Sequence, residues 1–302
     1  TLFLSIVFIF VFIEQQSRKK VRYAENIKTQ SKQNYNISSR KNNFLIIIIC
    51  TLPIAFGFII PFLQLLYWSI FISNENWGPG FYNIVSDTLF LSFLAALIIT
   101  FISILVTYVK RFNPNSIINK FMQIITLGYA IPGPVVAIAV IVPFAAFDNY
   151  INQILMSKFN ISVGLIFSGS FFVLIFAYCI RFLTVSSRTI SSGLDSISLA
   201  TDDAAKSLGA NTKVILSKIH FPLLKTSLLT SFLLVFIDVM KELPLTSILR
   251  PFNFNTLSVR AFELASDERI ADASNAAIMI VLAGIIPVIL ITKNILGKRN
   301  KV

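Results

Sequence analysis

DDAAKSLGANTKVILSKIHFP, residues 202–222, is the most polar long run in the second half of an otherwise apolar chain. Apolar runs flank it at 161–183 and 226–245. Its residues predict two helices joined by a glycine. Asp195 or Ser198 can cap a first helix through Leu199, Ala204, Ala205 and Leu208, because a side-chain oxygen there accepts a free first-turn N–H. Gly209 stops that helix, where a left-handed backbone costs a glycine little. Asn211 or Thr212 caps a second helix through Val214, Ile215 and Ile219, and Pro222 marks a turn into the next apolar run. The resulting elbow presents the small side chains of Ala204 and Ala205. Two readings stay open on these grounds: an amphipathic helix lying on lipid headgroups, or a surface that another protein approaches closely.

The rest of the chain makes the elbow an exception. Of 302 residues, 55% are hydrophobic and 13% charged, with 29 phenylalanines. A soluble domain carries about a quarter charged residues. A spanning helix needs about 20 mainly apolar residues. Such runs stand at 44–72, 84–109, 121–147, 161–183, 226–245 and 276–291. Residues 1–13 read as the end of a preceding transmembrane helix rather than a cleaved signal, because the apolar stretch comes before the basic one. Residues 14–43 form a polar, basic connector without an apolar period. Residues 44–297 make a six-helix membrane domain with a polar loop at 184–225. Cys50 and Cys179 sit inside apolar runs and are expected to be buried thiols.

Lysine and arginine bias orients the bundle. The connector carries Arg18, Lys19, Lys20, Arg22, Lys28, Lys32, Arg40 and Lys41. Lys110, Arg111 and Lys120 follow the second run; Arg188, Lys206, Lys213, Lys218 and Lys225 follow the fourth, with Arg181 at the loop's edge. The tail adds Lys293, Lys298, Arg299 and Lys301, whereas the opposite loops hold Lys158, Arg250, Arg260 and Arg269. This places 14–43, the 184–225 loop and the C-terminus in the cytoplasm. It also accounts for the net charge of +12 without nucleic acid as a partner.

The elbow resembles the EAA loop of binding-protein-dependent ABC importer permeases. That pattern reads Glu-Ala-Ala, three residues, Gly, nine residues, then Ile, any residue, Leu-Pro. Here Asp203 stands for the Glu, followed by Ala204, Ala205, Lys206 and Gly209, and Ile219, His220, Phe221 and Pro222 complete it with Phe for Leu. Residues 240–252 (MKELPLTSILRPF), 265–269 (ASDER) and 128–134 (GYAIPGP) are similar to permeases of ferric-iron importers. The resemblance implies an all-α integral membrane bundle in the cell inner (plasma) membrane that does no chemistry itself. It implies that a cytoplasmic ABC ATPase dimer docks on the loop and binds the ATP, leaving this chain without a cofactor. It further implies an extracytoplasmic solute-binding protein and a second permease half, in the same longer chain or as a second copy. The lone His220 is expected to be structural.

A translocation path is expected where ionisable residues enter a span. Asp238, Lys241 and Glu242 can share one helix face, and Pro244 breaks or kinks that helix. These four and Arg250 are candidates for a path or gate, against a network that merely holds helix ends together. Pro132-Gly133-Pro134 predicts a kink in the third run. The loop 250–274 suits either a scoop against a binding protein or a helix tucked onto the bundle. Glu263, Asp267, Glu268 and Asp272 offer oxygens to a hard cation, but four scattered acids make no metal site. An ion-coupled secondary transporter would explain the Asp238 cluster but not the elbow. A membrane enzyme finds no DDxxD or HExxH here, and no GxxxxGK[ST] phosphate loop occurs. Polyamine, thiamine and phosphonate are alternative solutes.

Overall fold

A computed structural model describes residues 40–75, 77–112 and 115–299. The segment 1–39, which includes the expected stub and most of the connector, lies outside the described residues. The chain divides into two compact units, Thr1–Leu66 and Tyr67–Val302.

The first apolar helix, α1, begins at Arg40, inside the expected connector, and runs as Arg40–Ile54, a wide turn Ala55–Ile59, and Ile60–Phe71. The wide turn sends the Ile60 N–H back to the Ala55 carbonyl, five residues away, directly before Pro61. A proline ring clashes with the carbonyl four residues back, and a widened turn relieves that clash.

The second unit continues with α2 (Pro79–Phe112), α3 (Ser116–Leu127), α4 (Gly133–Phe159), α5 (Phe171–Asp195) and α6 (Leu199–Ser207). A helical start at Thr212–Val214 and a second wide turn, Ile215–His220, lead into α7 (Phe221–Met240). Then come α8 (Pro244–Leu249), α9 (Leu257–Ser266) and α10 (Ile270–Arg299). Six helical segments are long and apolar enough to cross a membrane, and no strand occurs among the described residues.

Helix α5 is the hub, packed against α2, α4 and α7. Its Val173, Leu174, Ala177 and Tyr178 are buried against Ala95 and Ala96 of α2 and Ala137 of α4. Small residues at such contacts let backbones approach where water supplies no drive. Between spans, the Ser186 and Ser231 hydroxyls lie 2.7 Å apart. At the end away from α6, Glu75 bonds Arg260, and the Asp272 carboxylate accepts from Asn74 N at 2.6 Å and Arg269 Nε at 2.8 Å.

Several expected boundaries change. The third run is two helices, α3 and α4, with a non-helical joint after Ala130. The fourth helix starts at Phe171, not 161, and continues to Asp195. Residues 161–170 are apolar but not helical because Asn160, Gly164 and Gly169 take positive φ, and the Asp148 carboxylate accepts the N–H groups of Phe167 and Ser168. The polar loop therefore shrinks from 184–225 to the elbow itself, since 184–195 and 212–225 are helical. Arg181 is no loop-edge residue but stands well inside α5. Pro222 makes no turn; it lies within a continuous helical stretch two residues after the wide turn Ile215–His220, which makes room for its ring as the earlier wide turn does for Pro61. The loop 250–274 contains α9 and the first turn of α10. Cys50 is exposed and Cys179 half-buried, against the expectation of two buried thiols.

Candidate functional site

Besides the Glu75–Arg260 and Asp272 contacts at the far end, polar groups among the described residues gather at the elbow at one end of the bundle and at a junction partway along α5.

At the elbow, Ser198 Oγ accepts from Ala200 N at 3.2 Å and so caps α6. Gly209 has φ +80°. The Gly209 N–H returns to the Lys206 carbonyl at 2.9 Å and the Ala210 N–H to that of Ala205 at 3.0 Å. This is the paired closure that a left-handed glycine makes possible. Asn211 Oδ1 then accepts from Val214 N at 2.9 Å. Ala205 is buried against the bundle, while Asp203, Ala204 and Lys206 face outward. Asp203 and Lys206 pair at 3.7 Å, and exposed pairs of this kind contribute little. Leu199 and Leu208 are also exposed, Leu208 at 89%.

Beneath this surface lies a buried ionic cluster that the sequence did not suggest. Asp202, next to the outward Asp203, points inward and is 3% exposed. Its carboxylate accepts from Arg111 Nε at 2.8 Å and meets His220 Nε2 at 2.7 Å. Burial works to raise the Asp202 pKa, but hydrogen bonds from Arg111 and His220 outweigh it and hold the carboxyl below its ordinary value. A carboxylate here fixes the His220 tautomer, with Nε2 donating.

The junction joins two interrupted helices. Helix α7 ends at Met240, and the chain restarts at Pro244 as α8. The third apolar run breaks after Ala130 and restarts at Gly133. Arg181 of α5 touches both breaks: Nη1 donates to the Ile131 carbonyl at 3.2 Å, and Nε lies 3.5 Å from Glu242 Oε2. Glu242 Oε1 accepts from Leu245 N at 3.3 Å, capping α8. The Glu242 carbonyl, freed by the break, accepts from Thr246 Oγ1 at 2.8 Å and Ser258 Oγ at 2.9 Å. Since the Thr246 proton is committed there, the Tyr178 hydroxyl donates to Thr246 Oγ1 at 2.5 Å. Gly133 allows the close approach: a Cβ there would stand 3.0 Å from Arg181 Nη1 and 3.0 Å from Pro244 Cβ. Irregular backbone inside a span persists only where protein or a water-filled cavity satisfies it.

The three ionisable residues expected on one helix face separate. Glu242 lies beyond the helix end and turns inward to Arg181. Lys241, 59% exposed, pairs with Asp238 at 2.9 Å. Pro244 opens α8 rather than kinking α7. The Arg250 side chain pairs elsewhere; its Nη2 bonds Glu263 Oε1 at 2.7 Å, beside an open pocket of about 560 Å³ lined by residues including Ser168, Gly169, Ser247 and Asn253. Burial pushes Glu263 up, but bonds from Asn255 and Arg250 win and hold it below the usual range. A depressed carboxylate stabilises fully above its unfolded value and loses that contribution as pH falls through the folded one. Proteolysis within 250–266 should therefore stay constant down to about pH 4 and rise below it. A rise already at pH 6 would contradict this anchoring. Among the described residues no three His, Cys, Asp or Glu side chains gather as metal ligands.

Residues 99–301 match the family described as binding-protein-dependent transport system inner membrane component. The chain belongs to that family. A curated relative from Haemophilus influenzae, Fe(3+)-transport system permease protein FbpB 2, is 27% identical over 237 residues, covering 78% of this chain and 44% of that protein. The chain thus spans less than half the length of this relative. A crystal structure of a bacterial ABC transporter involved in import of the acidic polysaccharide alginate superposes with TM-score 0.61 at 14% identity, covering 86% of this chain and 96% of that one. A second, of the bacterial alginate transporter in complex with its alginate pentasaccharide-bound periplasmic protein, gives TM-score 0.60 at 15% identity, covering 83% and 91%. Both likenesses concern the fold. In this inner membrane component the elbow was expected to present both Ala204 and Ala205; Ala204 faces outward, but Ala205 lies on the face that packs against the bundle and is buried, while the apolar Leu199 and Leu208 are exposed. The roles of Arg181, Arg111 and Asp202 were not legible beforehand; an arginine inside an apolar run was the available pointer to the first.

Proposed function

We propose that this chain is the membrane-spanning permease half of an ATP-driven importer, with ferric iron as the solute. The observation that carries the coupling role is the two-faced elbow helix. Its inner face is tied to the bundle through Asp202 and Ala205, while Leu199, Asp203, Ala204, Lys206 and Leu208 point outward. Apolar and charged side chains side by side suit a protein groove better than bulk lipid. A cytoplasmic ABC ATPase dimer, which binds the ATP, would dock there. ATP-driven closure of the ATPases would shift the permease between inward- and outward-facing states. Residues 14–43, the elbow and the C-terminus then lie in the cytoplasm, in accord with the positive residues. A solute-binding protein would deliver solute at the opposite end, beside Arg250 and α9. A second permease half, from the same longer chain or a second copy, would face exposed Lys241 across the path. The solute assignment rests on the ferric relative and on the resemblance of residues 128–134, 240–252 and 265–269 to ferric permeases.

Gly209→Val tests the docking role. A Cβ at Gly209 meets nothing within 4 Å, so the variant acts through backbone strain alone. That strain is about 1–2 kcal/mol and would redirect the chain after α6. Protein level should stay normal, while ATPase capture and radioactive ferric uptake in cells carrying the whole transport system fall together. Normal capture and uptake in well-expressed Gly209→Val would refute docking. Uptake of a polyamine, thiamine or phosphonate in place of iron by the wild type would overturn the solute alone.

A further inference from the structure

The buried cluster at the elbow joins more elements than a local cap requires. Arg111 lies in the last turn of α2. Besides Asp202, its guanidinium reaches the Leu194 carbonyl and donates through Nη2 to the Ile197 carbonyl at 2.9 Å. The Leu194 carbonyl is in the last turn of α5, where the helix dipole favours a cation, and Ile197 follows two residues after the helix ends at Asp195. Asp202 belongs to α6, and His220 to the last residue before α7. One arginine, one aspartate and one histidine thus connect the ends of three spans to the elbow. The side chains of Arg111 and Asp202 are 8% and 4% exposed and that of His220 is fully buried. The His220 ring packs edge-on against Tyr108 at 5.6 Å between centroids and lies 6.1 Å from Phe112. Its Nδ1 has no hydrogen-bond partner among the described residues.

Buried ion pairs seldom add net stability over well-packed apolar side chains. What this one supplies is direction. Apolar packing at the elbow could slide, but bonds to two carbonyls, a carboxylate and a ring nitrogen hold only in one arrangement. We infer that Asp202, gripped by Arg111 and His220, is the positioning residue that makes the elbow helix and the near ends of α2, α5 and α7 move as one body. This rests on the reading that an ATPase drives the permease through the elbow. Asp203 would then meet the motor while its neighbour Asp202 passes the displacement into the bundle. Alternation of outward and inward acids on one short helix separates these two tasks.

His220→Phe keeps the ring against Tyr108 and Phe112 but removes the bond to Asp202. His220→Gln keeps a donor near the Nε2 position. Asp202→Asn retains the shape and removes the charge. Each would be produced in the full transporter with its ATPases, and three quantities read: assembled complex, ATP hydrolysis, and solute moved per ATP. The expected result is assembly within about twofold of wild type for all variants. Solute per ATP should fall about tenfold in His220→Phe and Asp202→Asn, a size typical of broken coupling networks, and stay near wild type in His220→Gln. Unchanged solute per ATP in an assembled His220→Phe or Asp202→Asn complex would overturn the inference. So would loss of assembly in both, which would make the cluster a folding element only. Failure of wild-type chain to bind any ATPase would instead remove the underlying reading of the elbow.

Discussion

Replacing Arg181 with leucine is expected to destabilise the bundle by about 3–5 kcal/mol, the usual result of removing one partner from a buried pair. Glu242, 7% exposed, would lose the cation at 3.5 Å, and the Ile131 carbonyl at the other break would lose its donor. An unpaired carboxylate among spanning helices is costly wherever it sits. Folded proteins are stable by only about 5–15 kcal/mol, so much of the Arg181→Leu protein should fail to accumulate. Glu242→Gln should cost less, because an amide needs no counter-charge. Combining the two should cost less than the sum of their separate effects, since they share one interaction. Thermal unfolding in detergent of the single and double variants measures all three. Arg181→Leu unfolding at the wild-type temperature would show that the junction does not depend on this pair.

Gly128→Ala is expected to be nearly as damaging for a different reason. Gly128 has φ −57°, so its conformation suits any residue and only space is at issue. A Cβ there would stand 2.1 Å from the backbone oxygen of Ile180. Carbon–oxygen contacts normally begin near ~3.3 Å. No rotamer change can relieve a clash with main chain, so α3 and α5 must separate, pulling Thr184 Oγ1 from the Ile125 carbonyl it now reaches at 2.7 Å. Overpacking of this kind costs about 1–3 kcal/mol and sometimes more. Gly80→Ala, whose Cβ meets nothing within 4 Å, is the matched control and should leave the unfolding temperature unchanged. Equal stability of the two variants would show that α3 lies farther from α5 than described.

What could be read beforehand depended on how local the chemistry was. The elbow was legible because Ser198, Gly209 and Asn211 act within a few residues of themselves. The apolar runs were legible as spans, but their ends were not. Residues 161–170 look like a helix start by hydropathy, yet left-handed residues at 160, 164 and 169 and a carboxylate at Asp148 hold them in an irregular, turning path. Hydropathy also runs unbroken across 128–132, so the joint beside Gly133 read as a kink rather than the end of one helix and the start of another. Arg181 was read as a loop edge because it stands two residues before the expected end of the apolar run at 183, whereas α5 continues to Asp195. Its partner, Glu242, lies in a different span, and no local period connects them. Arg111, Asp202 and His220 come from three separate elements, and only their meeting makes any of them informative.

The wide turn before Pro222 sets a rule for insertions and deletions. The Phe221 N–H reaches back five residues to the Leu216 carbonyl, so this turn holds one residue more than an α-helical turn. Each residue advances a helix by about 100°. Loss of one residue within 215–220 would let the wide turn relax to ordinary pitch, and the shortened helix would sweep the same rotation. The elbow would keep its phase with α7, and Asp202 would still face His220. Loss of a second residue finds no such slack: everything upstream would arrive about 100° out of phase, with Asp202 turned away from His220. The wide turn therefore works as a reserve of one residue, and deletions beyond it are limited by angle rather than by reach.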